Sequence, residues 1–246
     1  MVTLSVHRLK IRYKQSMLGW AWAIIQPLSL MFIYTIIFSM VTRMPSEGLP
    51  YSLFVYSALL PWTYFATTIG TSATCLVMHS QLITKVYFPR EILPITYVIA
   101  GFFDFLIAAV LLSFMLVYYR VHLNAYAFYL IPVLAIVTAF ATALSLFLSA
   151  LQVRIRDIGL AMPLAMQLWM FATPVVYPLS AVPVRLRSAY MLNPMVGAIE
   201  NFRRVLVQHQ APDFPSLERA AIISAIVLPL SYLFFKHKEA SMADII

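Results

Sequence analysis

Residues 92–119 read ILPITYVIAGFFDFLIAAVLLSFMLVYY, a run whose one charged residue is Asp104. A helix of about 20 apolar residues crosses the ~30 Å hydrocarbon core of a bilayer, so this run is long enough to span a membrane. Apolar and polar residues do not alternate along it, which argues against a transmembrane β-strand. The run therefore predicts a membrane-crossing helix.

Further stretches share this character, and 62% of the 246 residues are hydrophobic whereas 11% are charged. One soluble core cannot hide so much apolar surface. We therefore predict an all-α integral membrane protein in which residues 1–246 form a single transmembrane domain. Its six predicted transmembrane helices occupy about residues 18–41, 51–78, 92–119, 127–152, 159–177 and 217–235.

The basic residues indicate which ends of the spans face the cytoplasm. Every lysine lies before the first span, in residues 79–91 or after the sixth span, and Arg154 and Arg156 lie between the fourth and fifth spans. Short cytoplasmic segments carry such an excess of Lys and Arg. Both termini are therefore predicted to be cytoplasmic. The net charge of +8 follows from topology and contact with anionic lipid, with no need for nucleic-acid binding.

The N-terminal segment, residues 1–15, has a two-faced helical pattern. It predicts an amphipathic helix at the inner membrane surface, which either anchors in lipid or gates a substrate. Residues 1–6 also alternate as a strand would.

Residues 178–216 are rich in proline and predict a re-entrant or interfacial region on the outer side. Asn193 followed by Pro194 is a typical start for a helix. On that helix Glu200 and Arg204 are spaced to pair along one face. The helix is therefore expected at the outer interface or in a hairpin lined by protein.

Motifs of enzymes and metal sites do not occur in the sequence. There is no Gly-x-x-x-x-Gly-Lys-Ser/Thr phosphate loop and no Gly-x-Ser-x-Gly nucleophile motif. Asp104 is the only acid deep in a predicted span, where it serves either as a packing residue or in protonation or gating. Two alternatives to a transport subunit stay open. One is a transferase acting on a lipid-linked donor through Glu200, Arg203 and Arg204, and the other is a proton-coupled carrier using Asp104.

Aromatic residues make up 14% of the chain and lie in clusters near predicted span ends. They form either an interfacial belt or the lining of a pore, where flat rings stack on the C–H faces of sugars. The candidate channel residues are Trp62, Tyr64, Trp169, Phe171 and Tyr177.

Several segments, taken in chain order, resemble one family. They are RYKQSMLGWAW (12–22), QP (26–27), LPW (60–62), LITKVYFPREILP (82–94), RIRDI (154–158), WMFATPVVYP (169–178) and LNPM (192–195). Together they are similar to the membrane subunits of type-2 ABC exporters that secrete polysaccharides, such as O-antigen, capsule and teichoic acid permeases. The resemblance covers nearly the whole chain.

The resemblance implies a permease that forms a homodimer in the bacterial plasma (inner) membrane and binds two copies of an ATPase subunit. ATP and Mg would then be bound by the ATPase, and this chain would need no cofactor or metal. The substrate would be a polysaccharide linked to a polyprenyl diphosphate lipid, exported from the cytoplasmic side.

The same resemblance implies roles for charged residues. The lipid diphosphate would be met by Arg8, Arg12 and Lys14, because guanidinium and ammonium groups bind phosphate oxygens. Coupling to the ATPase would involve Leu82, Lys85, Tyr87, Pro89, Arg90, Arg154, Arg156 and Asp157. The alternative for the 82–90 stretch is an ordinary loop that carries topology-setting charges, and for the 154–157 stretch an internal clamp.

Overall fold

The computed structural model describes residues 21–41, 44–86 and 88–245. All regular structure in these ranges is helical, as the sequence predicts. The α-helices in chain order are α1 (Trp22–Tyr34), α2 (Tyr51–Ala73), α3 (Cys75–Met78), α4 (Ser80–Lys85), α5 (Ile92–Tyr118), α6 (Leu130–Gln152), α7 (Asp157–Phe171), α8 (Val184–Tyr190), α9 (Pro194–Leu206) and α10 (Phe214–Ile245). A π-helical segment (Thr35–Val41) continues α1, and short 3-10 turns cover Ala125–Tyr129 and Leu179–Ala181.

Helix α2 is the centre of the bundle. It packs against α1, α5, α6, α7 and α9. Its first half is buried on every side, including Tyr56, whose hydroxyl donates a 2.9 Å hydrogen bond to the carbonyl of Ala108. Because protein surrounds it, α2 tolerates hydroxyl groups that a lipid-facing helix would expose.

The outer helices expose large apolar side chains. Three helical stretches, Ile92–Tyr118, Ala125–Gln152 and Phe214–Glu239, are long and apolar enough to cross a membrane. Exposed side chains on α1, α5, α7 and α10 include Phe32, Phe114, Leu164 and Leu230. Water disfavours such a surface, whereas hydrocarbon accepts it.

Several helices differ in length from the spans predicted for them, and α7 and α10 are clear examples. Helix α7 ends at Phe171, before the predicted boundary at residue 177, because Pro174 and Pro178 follow and the chain turns there. Helix α10 runs on to Ile245, beyond the predicted boundary at residue 235. Apolarity alone does not mark its end, since its charged last turns remain helical.

The bundle has two ends, which we name the basic end and the re-entrant end. At the basic end, a cluster of buried side chains joins α3, α4, the start of α5, the end of α6 and the last turns of α10. At the re-entrant end, the Tyr51 hydroxyl donates to the carbonyl of Val176, and the Asn124 amide donates to the carbonyl of His209. Lys85, Arg90, Arg154, Arg156 and Lys236 all belong to the basic end.

Candidate functional site

The first candidate element is the segment from α4 to the start of α5 at the basic end. Ile83 is buried and holds α4 against the bundle, while Lys85 and Pro89 are exposed. Leu82 is half-buried beside it. The segment therefore presents a basic, surface-accessible turn on a fixed base.

Charged groups tie this segment to the last turns of α10. Lys236 Nζ lies 2.7 Å from Glu91 Oε1 and 2.8 Å from Glu239 Oε2. The backbone N–H of Arg90 donates to Glu239 Oε1 at 3.0 Å, and its guanidinium donates to the Glu239 carbonyl. We call the segment from α4 to the start of α5, which is predicted to contact the ATPase, the docking segment. It is attached to α10, and the sequence alone does not predict this attachment. The i, i+3 spacing of Lys236 and Glu239 indicates only their own pair within α10.

The second candidate element is the turn between α6 and α7. The side chain of Gln152 accepts the N–H of Gly159 at 2.6 Å and donates to the carbonyl of Arg156 at 2.9 Å. This bracing fixes the turn and leaves the side chains of Arg154, Arg156 and Asp157 exposed. The turn therefore offers charged groups at the same end as Lys85.

Some predicted site residues lie outside the described residues. They are Arg8, Arg12, Lys14 and Tyr87. The amphipathic helix expected over residues 1–15 lies outside them as well.

The five candidate channel aromatics fall into two groups. Trp62 and Tyr64 are each 3% exposed and pack inside the protomer, where the Tyr64 hydroxyl donates to Thr138 Oγ1 at 3.2 Å. Phe171 is 46% exposed, and Trp169 and Tyr177 are half-buried. The exposed ring surface therefore lies at the end of α7 and in the connection after it.

Trp169 links these two groups. Its ring meets Phe65 edge-on with centroids 5.3 Å apart, and Phe140 edge-on at 6.1 Å. The Tyr177 hydroxyl donates to the carbonyl of Phe171 at 2.6 Å. These contacts fix the rings at the end of α7.

Asp104 is half-buried on α5 and lines a small polar cavity of about 40 Å³. Gln26, Thr63 and Thr67 share this lining. Such a volume holds only one or a few water-sized molecules. The geometry fits a packing site between α1, α2 and α5 that is too small for a sugar.

Arg203 is the most deeply buried charge among the described residues. It is 0% exposed, and its guanidinium lies 3.7 Å from the centroid of the Phe54 ring. Its Nη2 donates to the carbonyls of Pro174 at 3.3 Å and Val175 at 3.1 Å. Arg203 therefore clamps the connection after α7 onto α2 and α9.

Glu200 pairs with this arginine, with Arg203 Nη1 and Glu200 Oε2 3.6 Å apart. The predicted ion pair of Glu200 with Arg204 does not form; the Nε–H of Arg204 donates instead to the carbonyl of Ala211 at 3.2 Å. Burial raises the pKa of the Glu200 carboxyl, and the charge of Arg203 opposes that rise.

Helix α9 begins as predicted, since the Asn193 side chain accepts the N–H of Met195 at 3.1 Å and Pro194 takes the first position. Its residues from Pro194 to Arg203 are all buried. The helix is therefore surrounded by protein over these residues.

Glu47 connects three segments at the re-entrant end. Its carboxylate accepts the Ser180 hydroxyl at 3.1 Å and the Gln208 amide at 2.6 Å. With Glu200 and Arg204 it lines an open cavity of about 410 Å³. Hydrogen bonds therefore hold separate connecting segments together at this end.

Within the part of the chain that the structure describes, no group of three His, Cys, Asp or Glu side chains is placed to hold a metal ion. The charged groups instead lie in the exposed basic turns at one end of the bundle and in the buried Arg203–Glu200 pair at the other.

A bundle with apolar flanks, membrane-length helices and a protein-lined short helix defines a multi-span helical membrane protein. The ABC-2 type transporter family matches residues 1–207, and the chain belongs to that family.

Three curated proteins illustrate the similarity. The O-antigen export system permease protein RfbA of Myxococcus xanthus is 30% identical over 99% of this chain and 94% of its own length. The RfbA protein of Klebsiella pneumoniae is 28% identical over 84% of this chain and 80% of its own. The polysialic acid transport protein KpsM of Escherichia coli is 20% identical over 97% of this chain and 93% of its own.

Proposed function

We propose that this chain is the channel-forming permease subunit of an ATP-driven exporter of a bacterial surface polysaccharide. The observation that carries the proposal is the end-to-end similarity to an O-antigen export permease, at 30% identity over 99% of the chain. The subunit works as a homodimer with two copies of a separate ATPase, which binds ATP and Mg.

The proposed topology has six crossings, with both termini and the basic end in the cytoplasm. The proposed location is the bacterial inner membrane. Support comes from the gathering of Lys85, Arg90, Arg154, Arg156 and Lys236 at one end of the bundle, since cytoplasmic segments are enriched in such residues.

The proposed ATPase-binding surface consists of the 82–90 segment and the 154–157 turn. Lys85, Arg154 and Arg156 are exposed there. Their charge suits an acidic groove on the partner, which would also speed association. The exposure of the turn favours partner contact over the internal clamp.

Reversing both charges of the turn, Arg154→Glu with Arg156→Glu, is expected to weaken the complex with the ATPase by at least about tenfold. The reason is that like charges brought together at an interface cost several kcal/mol. The measurement is co-purification from membranes of the ATPase encoded beside this chain, with titration of the affinity in detergent.

The matched control reverses the exposed Arg185 and Arg219 at the re-entrant end. That variant carries the same charge change and is expected to bind the ATPase as the unaltered chain does. An unaltered chain that binds no ATPase would refute the proposed function.

The proposed substrate is a polysaccharide on a polyprenyl diphosphate carrier. Arg8, Arg12 and Lys14 would meet the diphosphate at the cytoplasmic surface, because their charges and donors suit phosphate oxygens. The glycan would then pass Trp169, Phe171 and Tyr177, whereas Trp62 and Tyr64, which are buried inside the protomer, would support that surface from behind.

Alanine at Trp169 or Phe171 is expected to slow export about two- to tenfold, the loss that corresponds to about 0.5–1.5 kcal/mol of ring contact. Assembly with the ATPase should persist. Export is measured as polysaccharide at the cell surface. Phe114→Ala, which removes an exposed ring from α5, is the control. Unchanged export in both test variants would rule out an aromatic track.

A further inference from the structure

Helix α10 contacts functional elements at both ends of the bundle. It contains 32 residues, Phe214 to Ile245. At about 1.5 Å per residue it is roughly 48 Å long, enough to pass through the bilayer and beyond. One helix thus touches the basic docking segment and the buried helix α9.

At the basic end the attachment is both ionic and apolar. Lys236 bridges Glu91, on the docking segment, and Glu239, one turn further along α10. Nearby, Phe235 and Met242 are 0% and 1% exposed, in the cluster that also contains Ile83 of α4. A displacement of the docking segment therefore acts directly on the last turns of α10.

At the re-entrant end the attachment is a close backbone contact. A Cβ atom at Gly197 of α9 would lie 2.6 Å from the carbonyl oxygen of Ser216. The Asn201 amide donates to the Ser216 hydroxyl at 2.9 Å and accepts the N–H of Asp213 at 2.7 Å. Helices α9 and α10 therefore move together at this end.

We propose that α10 transmits movement of the docking segment to α9. Lys236, in the last turns of α10, is the positioning residue that holds this helix to the docking segment. The proposal rests on the proposed function, because it assumes that an ATPase moves the docking segment. When one of two closely packed helices is displaced, the other moves with it, because their interface accepts few alternative arrangements.

Lys236→Met tests the proposal in cells that produce the complete complex of this chain and its ATPase, with ATP turnover measured in membranes prepared from them. The change keeps a long side chain and removes the charge that holds Glu91 and Glu239. We expect the ATPase to stay bound and ATP turnover to remain within twofold. Polysaccharide at the cell surface should fall at least tenfold, so that the amount exported per ATP hydrolysed falls equally.

Two variants accompany this test. Lys236→Arg keeps the charge and should restore at least half of the exported polysaccharide per ATP. Arg219→Met removes an exposed cation from the other end of the same helix and should export normally. If Lys236→Met fails to accumulate in the membrane, Glu91→Gln, which removes one charge at constant shape, gives the decisive measurement.

The possible failures are distinct. Absence of an ATPase from the unaltered complex would refute the proposed function itself. Normal export per ATP in both Lys236→Met and Glu91→Gln, with the unaltered complex intact, would overturn the transmission role alone. Loss of the ATPase from Lys236→Met would overturn it too, because the network would then serve binding rather than transmission.

Discussion

Replacing Arg203 by methionine is expected to lower the free energy of unfolding by about 3–5 kcal/mol, the usual result of removing one partner from a buried ion pair. Glu200 would lose the guanidinium that offsets its burial. The carbonyls of Pro174 and Val175 would lose their donors in a site without water access. The loss is measured by SDS-induced unfolding in mixed micelles.

The neighbouring residue provides the control for this prediction. Arg204 is half-buried and donates from Nε to one carbonyl, so Arg204→Met should cost only about 0.5–1.5 kcal/mol. Arg203→Lys keeps the charge but has no planar fork to reach two carbonyls, so its stability should fall between the other two. Equal stabilities for Arg203→Met and Arg204→Met would show that the clamp does not stabilise the fold.

Gly197→Ala and Gly70→Ala are expected to change stability in opposite directions. At Gly197 the new methyl would meet the Ser216 carbonyl oxygen at 2.6 Å and the Ala220 Cβ at 3.2 Å. Because one of these is backbone, α9 and α10 must separate, which costs about 1–3 kcal/mol. At Gly70, inside α2, a Cβ would meet nothing within 4 Å. Alanine there should add about 0.5–1 kcal/mol through better helix propensity.

Both glycine variants are compared with the unaltered chain in the same micelles. Each change adds one methyl group to a helix, so the two variants differ in what that methyl group meets. A destabilising effect of similar size at both positions would mean that the close approach of α9 to α10 is not the cause.

The sequence predicted well those features that depend on length, apolarity and local caps. The run 92–119 became α5 almost to the residue, and Asn193 caps α9 as expected. These outcomes follow from local physics, because lipid demands apolar length and an unpaired helix start demands a side-chain acceptor.

Contacts between distant segments could not be predicted in this way. Arg203 is one of the charged residues of a two-faced helix, yet Phe54 and the connection at 174–175 cover it. Likewise, the position of Lys236 after the sixth predicted span does not reveal that it pairs with Glu91. A single sequence gives the chemistry of a helix face and says nothing of which segment covers it.

The central position of α2 has a consequence for how the chain enters the membrane. Helices α5, α6 and α10 are apolar enough to leave the translocation machinery for lipid alone, but α2 carries the hydroxyl-rich stretch 63–74 and a proline, Pro61. Insertion of an isolated segment depends on its own hydropathy. We therefore expect α2 to settle only after α5 and α6 have been synthesised, so that the helix at the core of the finished protein is late to reach its place.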